Sequence, residues 1–136
     1  MRCAAALLAL VLATPASAQG VDGNYVGKLS CELIAGQTRR QLATDIRITI
    51  AGANVSYERE ILSESGNTTG NMERGTGSVK GNALSLAGGG RGNSWSYEAS
   101  YNGTITAGTI AMRGVQKWYI NRANQDRPCV INAQRR

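Results

Sequence analysis

The side chains best suited to hold a ligand in this chain are one arginine, one glutamate and three aromatic residues. They are Arg59, Glu73, Tyr57, Trp95 and Tyr97. A guanidinium group binds carboxylates and phosphates, and aromatic rings cover the apolar part of a small molecule. Brought together by the fold, these side chains predict a pocket for a small or anionic ligand. The alternative is a structural ion pair between Arg59 and Glu73, or charges kept in water at an open end, because charges are rarely buried unless paired.

The composition excludes the commonest catalytic sites. The chain has no histidine, so neither a Ser-His-Asp nor a Cys-His arrangement can form. Zinc sites of the usual kind also lack ligands, because Cys31 and Cys129 are best used in a disulfide. Hydrolysis by two carboxylates needs a second acid near Glu73, whereas strand alternation turns Asp45, Glu58, Glu60 and Glu98 outward. We therefore expect a protein that is not an enzyme and that uses no metal and no cofactor.

Residues 1–18 have the pattern of a secretory signal peptide. A basic start at Met1-Arg2 precedes the apolar run Ala4–Thr14, and Ala16-Ser17-Ala18 is a typical cleavage site. The run is shorter than the roughly 20 residues that span a membrane. We expect a single domain over residues 19–136, a periplasmic or secreted location and no transmembrane segment.

Export determines how the two remaining cysteines are interpreted. Cys31 and Cys129 lie near opposite ends of the mature chain, and in an oxidising compartment they most simply form one disulfide. That bond brings the first and last strands together, which favours a closed structure.

Alternation of apolar and polar residues indicates an all-β chain. Glycine and asparagine separate short segments of period two, and helical periodicity is almost absent. Eight or nine strands in simple succession predict a small antiparallel up-and-down β-barrel, with a two-sheet β-sandwich as the alternative. The expected strands cover residues 24–34, 42–50, 54–63, 71–80, 82–87, 93–102, 103–113, 115–120 and 127–135.

Three turns predict the pairing of these strands. Loops at residues 51–54 and 81–82 and an Asn-Gly hairpin at residues 102–103 each set a register, since Asn-Gly favours a two-residue type I′ turn. The expected pairs are Ile48 with Tyr57, Ile46 with Arg59, Val79 with Leu84, Gly77 with Leu86, Tyr101 with Thr104 and Trp95 with Ile110. Alternation then turns Glu73 inward near Arg59, and Ile48 and Ile110 complete the expected pocket.

Several arginines fall in or beside the predicted loops. Of the 15 lysines and arginines only Arg2 lies in the leader, which leaves 14 against nine acids. Arg39-Arg40 lie in one predicted loop, and Arg122 and Arg127 bracket another. Gathered at one end of a barrel, these arginines predict a basic rim that attracts anions. The expected partner is a small molecule or an anionic envelope component, and nucleic acid is not expected for an exported protein.

Residues 22–31, Asp-Gly-Asn-Tyr-Val-Gly-Lys-Leu-Ser-Cys, resemble the opening of a group of small exported bacterial β-barrel proteins of unknown function. Those proteins begin Gly-x-(Trp/Tyr)-x-Gly-x-Leu-x-Cys. Residues 75–79, 95–97 and 127–129 look like later landmarks of the same group. More distantly, Gly23-x-Tyr25 is similar to the Gly-x-Trp that opens lipocalins and avidin-like barrels. The resemblance implies a calycin-like barrel and carries no catalytic motif.

Two functions remain open at this point. A ligand-binding barrel requires an internal cavity lined by Tyr57, Arg59, Trp95 and Tyr97. An envelope-associated interaction or inhibitor protein requires a filled core and acts through its basic surface loops.

Overall fold

The computed structural model describes residues 20–34, 42–120 and 122–136, and they form eight β-strands. The leader prediction and Arg39-Arg40 lie outside the described residues. The strands are β1 (Gly23–Cys31), β2 (Leu42–Ala51), β3 (Asn54–Leu62), β4 (Thr68–Lys80), β5 (Ala83–Arg91), β6 (Trp95–Thr106), β7 (Thr109–Ile120) and β8 (Ala123–Arg135).

Each strand pairs antiparallel with the next, and β8 pairs with β1 to close the barrel. The prediction of an up-and-down β-barrel is confirmed, and the β-sandwich alternative is wrong. The closing pair places Cys31 directly opposite Cys129, and the two residues form the expected disulfide. The described part of the chain contains no helix that is long and apolar enough to span a membrane.

Alternate residues of each strand fill the barrel interior. Along β2, Ile46, Ile48 and Ile50 are buried while the residues between them are exposed, as a two-residue period requires. The opening motif follows the same rule, because Tyr25, Leu29 and Cys31 all face inward from β1 and are buried.

The registers predicted from the first two loops are confirmed. Ile48 pairs with Tyr57 and Ile46 with Arg59 between β2 and β3, and Val79 pairs with Leu84 between β4 and β5. The separate pairing of β3 with β4 places Arg59 directly opposite Glu73.

The hairpin predicted at Asn102-Gly103 is wrong. Strand β6 continues through both residues, and the chain turns at Ala107-Gly108, whose φ angles of 49° and 77° suit a type I′ turn. Gly103 instead allows close approach of the neighbouring strand, because a Cβ there would collide with the backbone of β7. The three strands predicted over residues 93–102, 103–113 and 115–120 are thereby replaced by β6 and β7, and the count is eight.

The error in that register left the inward face intact. Tyr101 pairs with Gly114 rather than with Thr104, and Trp95 pairs with Ile120 rather than with Ile110. Each partner moves by an even number of positions, and an even shift keeps every side chain on its original face. Tyr97, Tyr101 and Ile110 are therefore buried inside the barrel as expected.

Different side chains lie at the two ends of the barrel. The end formed by the β2–β3, β4–β5 and β6–β7 turns, here called the closed end, is plugged by Tyr25. The Tyr25 hydroxyl donates to the carbonyl of Val21 at 2.7 Å and accepts a hydrogen bond from Arg135 at 2.8 Å. The opposite end, here called the mouth, contains the disulfide, Trp95 and Arg127.

Candidate functional site

A fully buried carboxylate lies inside the barrel. Glu73 has no exposed surface, and its two oxygens accept five hydrogen bonds. Oε1 accepts from the hydroxyls of Tyr57 (3.0 Å) and Tyr101 (2.8 Å), and Oε2 accepts from Arg59 Nε (2.5 Å), the hydroxyl of Tyr97 (2.6 Å) and Gln116 Nε2 (3.2 Å). We call these six residues the Glu73 cluster.

Four strands supply the Glu73 cluster. Tyr57 and Arg59 come from β3, Glu73 from β4, the two other tyrosines from β6, and Gln116 from β7. Each occupies an inward-facing position of its strand. The closed barrel therefore brings their side chains together, although the residues are far apart in sequence.

Each of the three nitrogens of the Arg59 guanidinium also donates a hydrogen bond. Beyond Glu73 it donates to Thr44 Oγ1 and to the hydroxyl of Tyr97, both at 3.0 Å. Burial is the largest single influence and acts to lower the pKa of Arg59. The negative charge of Glu73, the effects of Tyr97 and Tyr101 and the hydrogen bond to Glu73 together outweigh it, so the pKa of Arg59 lies above its ordinary value. Arg59 and Glu73 therefore form the structural ion pair that the sequence offered as one alternative.

Glycines on the inward face make room for the tyrosine rings. A Cβ at Gly88 would lie 2.5 Å from the hydroxyl of Tyr57, and one at Gly114 would lie 2.6 Å from the ring of Tyr101. Real side-chain carbons do not approach so closely, so each glycine accommodates a ring rather than opening an empty space.

Four of the five candidate site residues are therefore together, but with one another rather than around a vacant pocket. Tyr57, Arg59, Glu73 and Tyr97 are all at most 6% exposed. A cavity lined by these side chains would raise their exposure. The interior at this level is filled by the protein's own side chains.

The fifth candidate, Trp95, lies at the mouth and is only partly buried. Its ring stacks on Tyr97 with centroids 6.1 Å apart, and Tyr97 stacks on Trp118 at 4.4 Å. Trp118 Nε1 donates to Gln116 Oε1 at 3.0 Å. A continuous aromatic stack thus connects the mouth to the Glu73 cluster.

Sequence reasoning did not assign Gln116 and Trp118 to the site. Both fall in the segment predicted as a strand over residues 115–120. Because they are two residues apart, they lie on the same face of that strand, and this was the one sign in the sequence that they act together. Without the pairing of Tyr97 with Trp118, which the misplaced hairpin concealed, nothing connected them with Glu73.

Two of the four predicted rim arginines are described, and both lie at the mouth. Arg122 is exposed, whereas Arg127 is 5% exposed and therefore lies within the wall rather than on an open rim. Arg127 Nε donates to the carbonyl of Glu32 at 2.5 Å, and its guanidinium lies 5.9 Å from the centre of the Trp118 ring. Burial and, after it, the positive charge of Arg59 lower the pKa of Arg127.

The tyrosines of the Glu73 cluster predict a loss of stability at alkaline pH. Burial first, and then the negative charge of Glu73, hold the pKa of Tyr57, Tyr97 and Tyr101 above the ordinary value of 10.0. The folded protein therefore retains three phenolic protons that the unfolded chain releases above pH 10. Between pH 10 and 11 the free energy of unfolding should fall by about 1 kcal/mol for each of them.

Urea unfolding at a series of pH values, together with phenolate absorbance, tests this expectation. Tyr101→Phe should remove one of the three contributions, and Tyr119→Phe, which changes a tyrosine that is 41% exposed and lies outside the Glu73 cluster, is the control. Ionisation of all the tyrosines while the barrel is still folded would contradict it.

The chain matches no protein-family model and no curated protein.

Proposed function

We propose that this chain is an exported, non-catalytic binding protein that takes an anionic ligand at the mouth of its barrel. The observation that carries the proposal is the contrast between a filled interior and a mouth that presents the partly exposed Trp95 and the exposed Arg122. In this proposal the filled core of a small calycin-like barrel is the scaffold, and the mouth is the surface that recognises the ligand.

The saturation of Glu73 supports a non-catalytic role. An ionised carboxylate offers about four lone-pair sites, and five donors already occupy this one. A general acid or base must reach its substrate within hydrogen-bond distance, and Glu73 has no exposed atom with which to do so.

The side chains described at the two ends support the mouth as the binding surface. Tyr25, Val21 and Arg135 plug the closed end with hydrogen bonds of their own. At the mouth, Trp95 supplies a partly exposed flat surface, and Arg122 adds an exposed positive charge. Aromatic and arginine side chains are the residues that most often anchor binding partners.

The disulfide and the opening motif support export. A bond between Cys31 and Cys129 persists in an oxidising compartment, and a leader over residues 1–18 would deliver the chain there. The same motif, Gly-x-Tyr-x-Gly-x-Leu-x-Cys, supports membership of the group of exported barrel proteins with this opening.

Two measurements test the proposed function. The first is native mass spectrometry of the mature protein, purified from the envelope fraction of its source. The measured mass should equal that of a chain starting at Gln19 plus the mass of a bound ligand. Retention on carboxymethyl-dextran should fall with salt and should weaken in Arg122→Gln at the mouth.

Arg113→Gln is the matched control for retention, because Arg113 is exposed on the outer wall of β7. Both variants remove one exposed positive charge. Equal losses of retention would assign the binding to overall charge and overturn the mouth as its site. A protein that carries no ligand and is not retained by the anionic matrix would overturn the proposed function.

The filled interior also favours a second candidate, an envelope-associated interaction or inhibitor protein acting through its basic loops. In that case the mass bound in native spectrometry is a second polypeptide rather than a small molecule, and Arg122→Gln weakens its association.

A further inference from the structure

Arg127 is a buried cation without a carboxylate partner. All nine acidic residues of the chain lie within the described residues, and the ion pairs formed there are Lys28–Asp45, Arg59–Glu73 and Arg74–Glu58. None of them involves Arg127, although only 5% of its surface is exposed. Among the described residues, its terminal nitrogens meet no hydrogen-bond acceptor, and only Nε is engaged, with the Glu32 carbonyl.

The charges buried at this level of the barrel do not balance. Arg59 and Arg127 contribute two positive charges, and Glu73 contributes one negative charge. Glu73 is committed to Arg59, so the charge of Arg127 is left over. Charges attract more strongly in a protein interior than in water, and a single negative charge from outside would restore neutrality.

The surroundings of Arg127 restrict the shape of that anion. Its guanidinium lies over Trp118, and the Trp118 and Trp95 rings are 5.3 Å apart. A guanidinium that stacks on a ring still directs its terminal N–H groups sideways, where they can bind both oxygens of a carboxylate. A ligand held there would place its body against the partly exposed ring of Trp95.

We propose that Arg127 anchors a binding site for a monocarboxylate carried on a flat ring, with the carboxylate on the terminal nitrogens of Arg127 and the ring against Trp95. The inference rests on the proposed function, because it names the class of ligand that the mouth takes. Burial and repulsion from Arg59, which lower the pKa of Arg127, are the costs that such an anion would relieve.

Four small molecules test separately whether the site needs the carboxylate and whether it needs the ring. Benzoate has both the carboxylate and the ring, acetate lacks the ring, benzamide lacks the charge, and chloride serves as a simple anion. Benzoate should raise the thermal midpoint saturably and change the tryptophan fluorescence. Acetate should bind at least about tenfold more weakly, and benzamide and chloride should have no saturable effect. Equal effects of benzoate and chloride would overturn the assignment to a carboxylate.

Three variants test the roles of the two side chains. Arg127→Met should abolish the benzoate shift without lowering the midpoint of the ligand-free protein, because it removes an uncompensated buried charge and keeps an apolar stem. Arg127→Lys retains the charge but not the planar guanidinium, and it should lower the affinity for benzoate by about tenfold. Trp95→Leu should lower the affinity for benzoate to that for acetate.

Arg113→Met on the outer wall is the control and should leave benzoate binding unchanged. If Arg127→Met lowers the thermal midpoint and leaves the benzoate shift intact, the role of Arg127 is to stabilise the fold through its hydrogen bond to the Glu32 carbonyl, and the proposal is wrong.

The test separates this inference from the proposed function. Loss of every small-molecule effect, with retention on carboxymethyl-dextran that still depends on Arg122, would overturn the ring carboxylate and leave binding at the mouth in place. Loss of both would overturn both.

Discussion

Replacement of Glu73 by glutamine should lower the free energy of unfolding by about 3–5 kcal/mol. The variant keeps the size of the side chain but leaves the buried charge of Arg59 without its counter-ion. It also points an amide N–H₂ group at hydroxyls and nitrogens that donated to a carboxylate, so hydrogen bonds are lost as well.

The neighbouring ion pair on the outside of the barrel is a matched control. Glu58 pairs with Arg74 across the same two strands, at the register position next to Arg59 and Glu73. Its side chains are 44% and 69% exposed, with the closest nitrogen and oxygen 3.6 Å apart. Glu58→Gln should therefore change stability by less than about 1 kcal/mol.

Urea unfolding at neutral pH, followed by tryptophan fluorescence, measures both variants. Combining Glu73→Gln with Arg59→Met should recover part of the loss, because no buried charge is then left alone. Equal losses for Glu58→Gln and Glu73→Gln would show that burial does not determine the strength of this pair.

Removal of the disulfide should have a comparable effect. Cys31 and Cys129 are separated by 98 residues in sequence, and closing a loop of about 100 residues is worth about 4.7 kcal/mol when the gain is attributed to unfolded-chain entropy. Both residues are buried, so the double variant Cys31→Ala/Cys129→Ala avoids placing hydroxyls in the core.

The reduced wild-type protein is the control for this variant. Both forms should unfold at the same lower urea concentration, and reoxidation should restore only the wild type. A loss below about 1 kcal/mol would mean that the β1–β8 hydrogen bonds, rather than the covalent bond, keep the barrel closed.

Much of the interior could be predicted from the alternation of residue types. The loop at residues 51–54 set the register of β2 and β3 correctly, and parity turned Glu73 inward to meet Arg59. These inferences succeeded because each depends on a two-residue period and a short connection, both of which are local properties of the chain.

Three features were decided by tertiary contacts. Asn102-Gly103 has the local preference of a hairpin, but Gly103 is used to let β7 approach, and the turn forms at Ala107-Gly108. The contribution of Gln116 to the Glu73 cluster depended on that corrected register.

Arg127 is the third feature. Its sequence neighbours suggested an exposed rim, and closure of the barrel buried it beside Trp118 instead. The chain by itself determined which face of each strand points inward, because that follows from spacing along one strand. Which inward side chains meet, and whether they leave space for a ligand, was decided only by the closed barrel, because those distances join residues from strands remote in sequence.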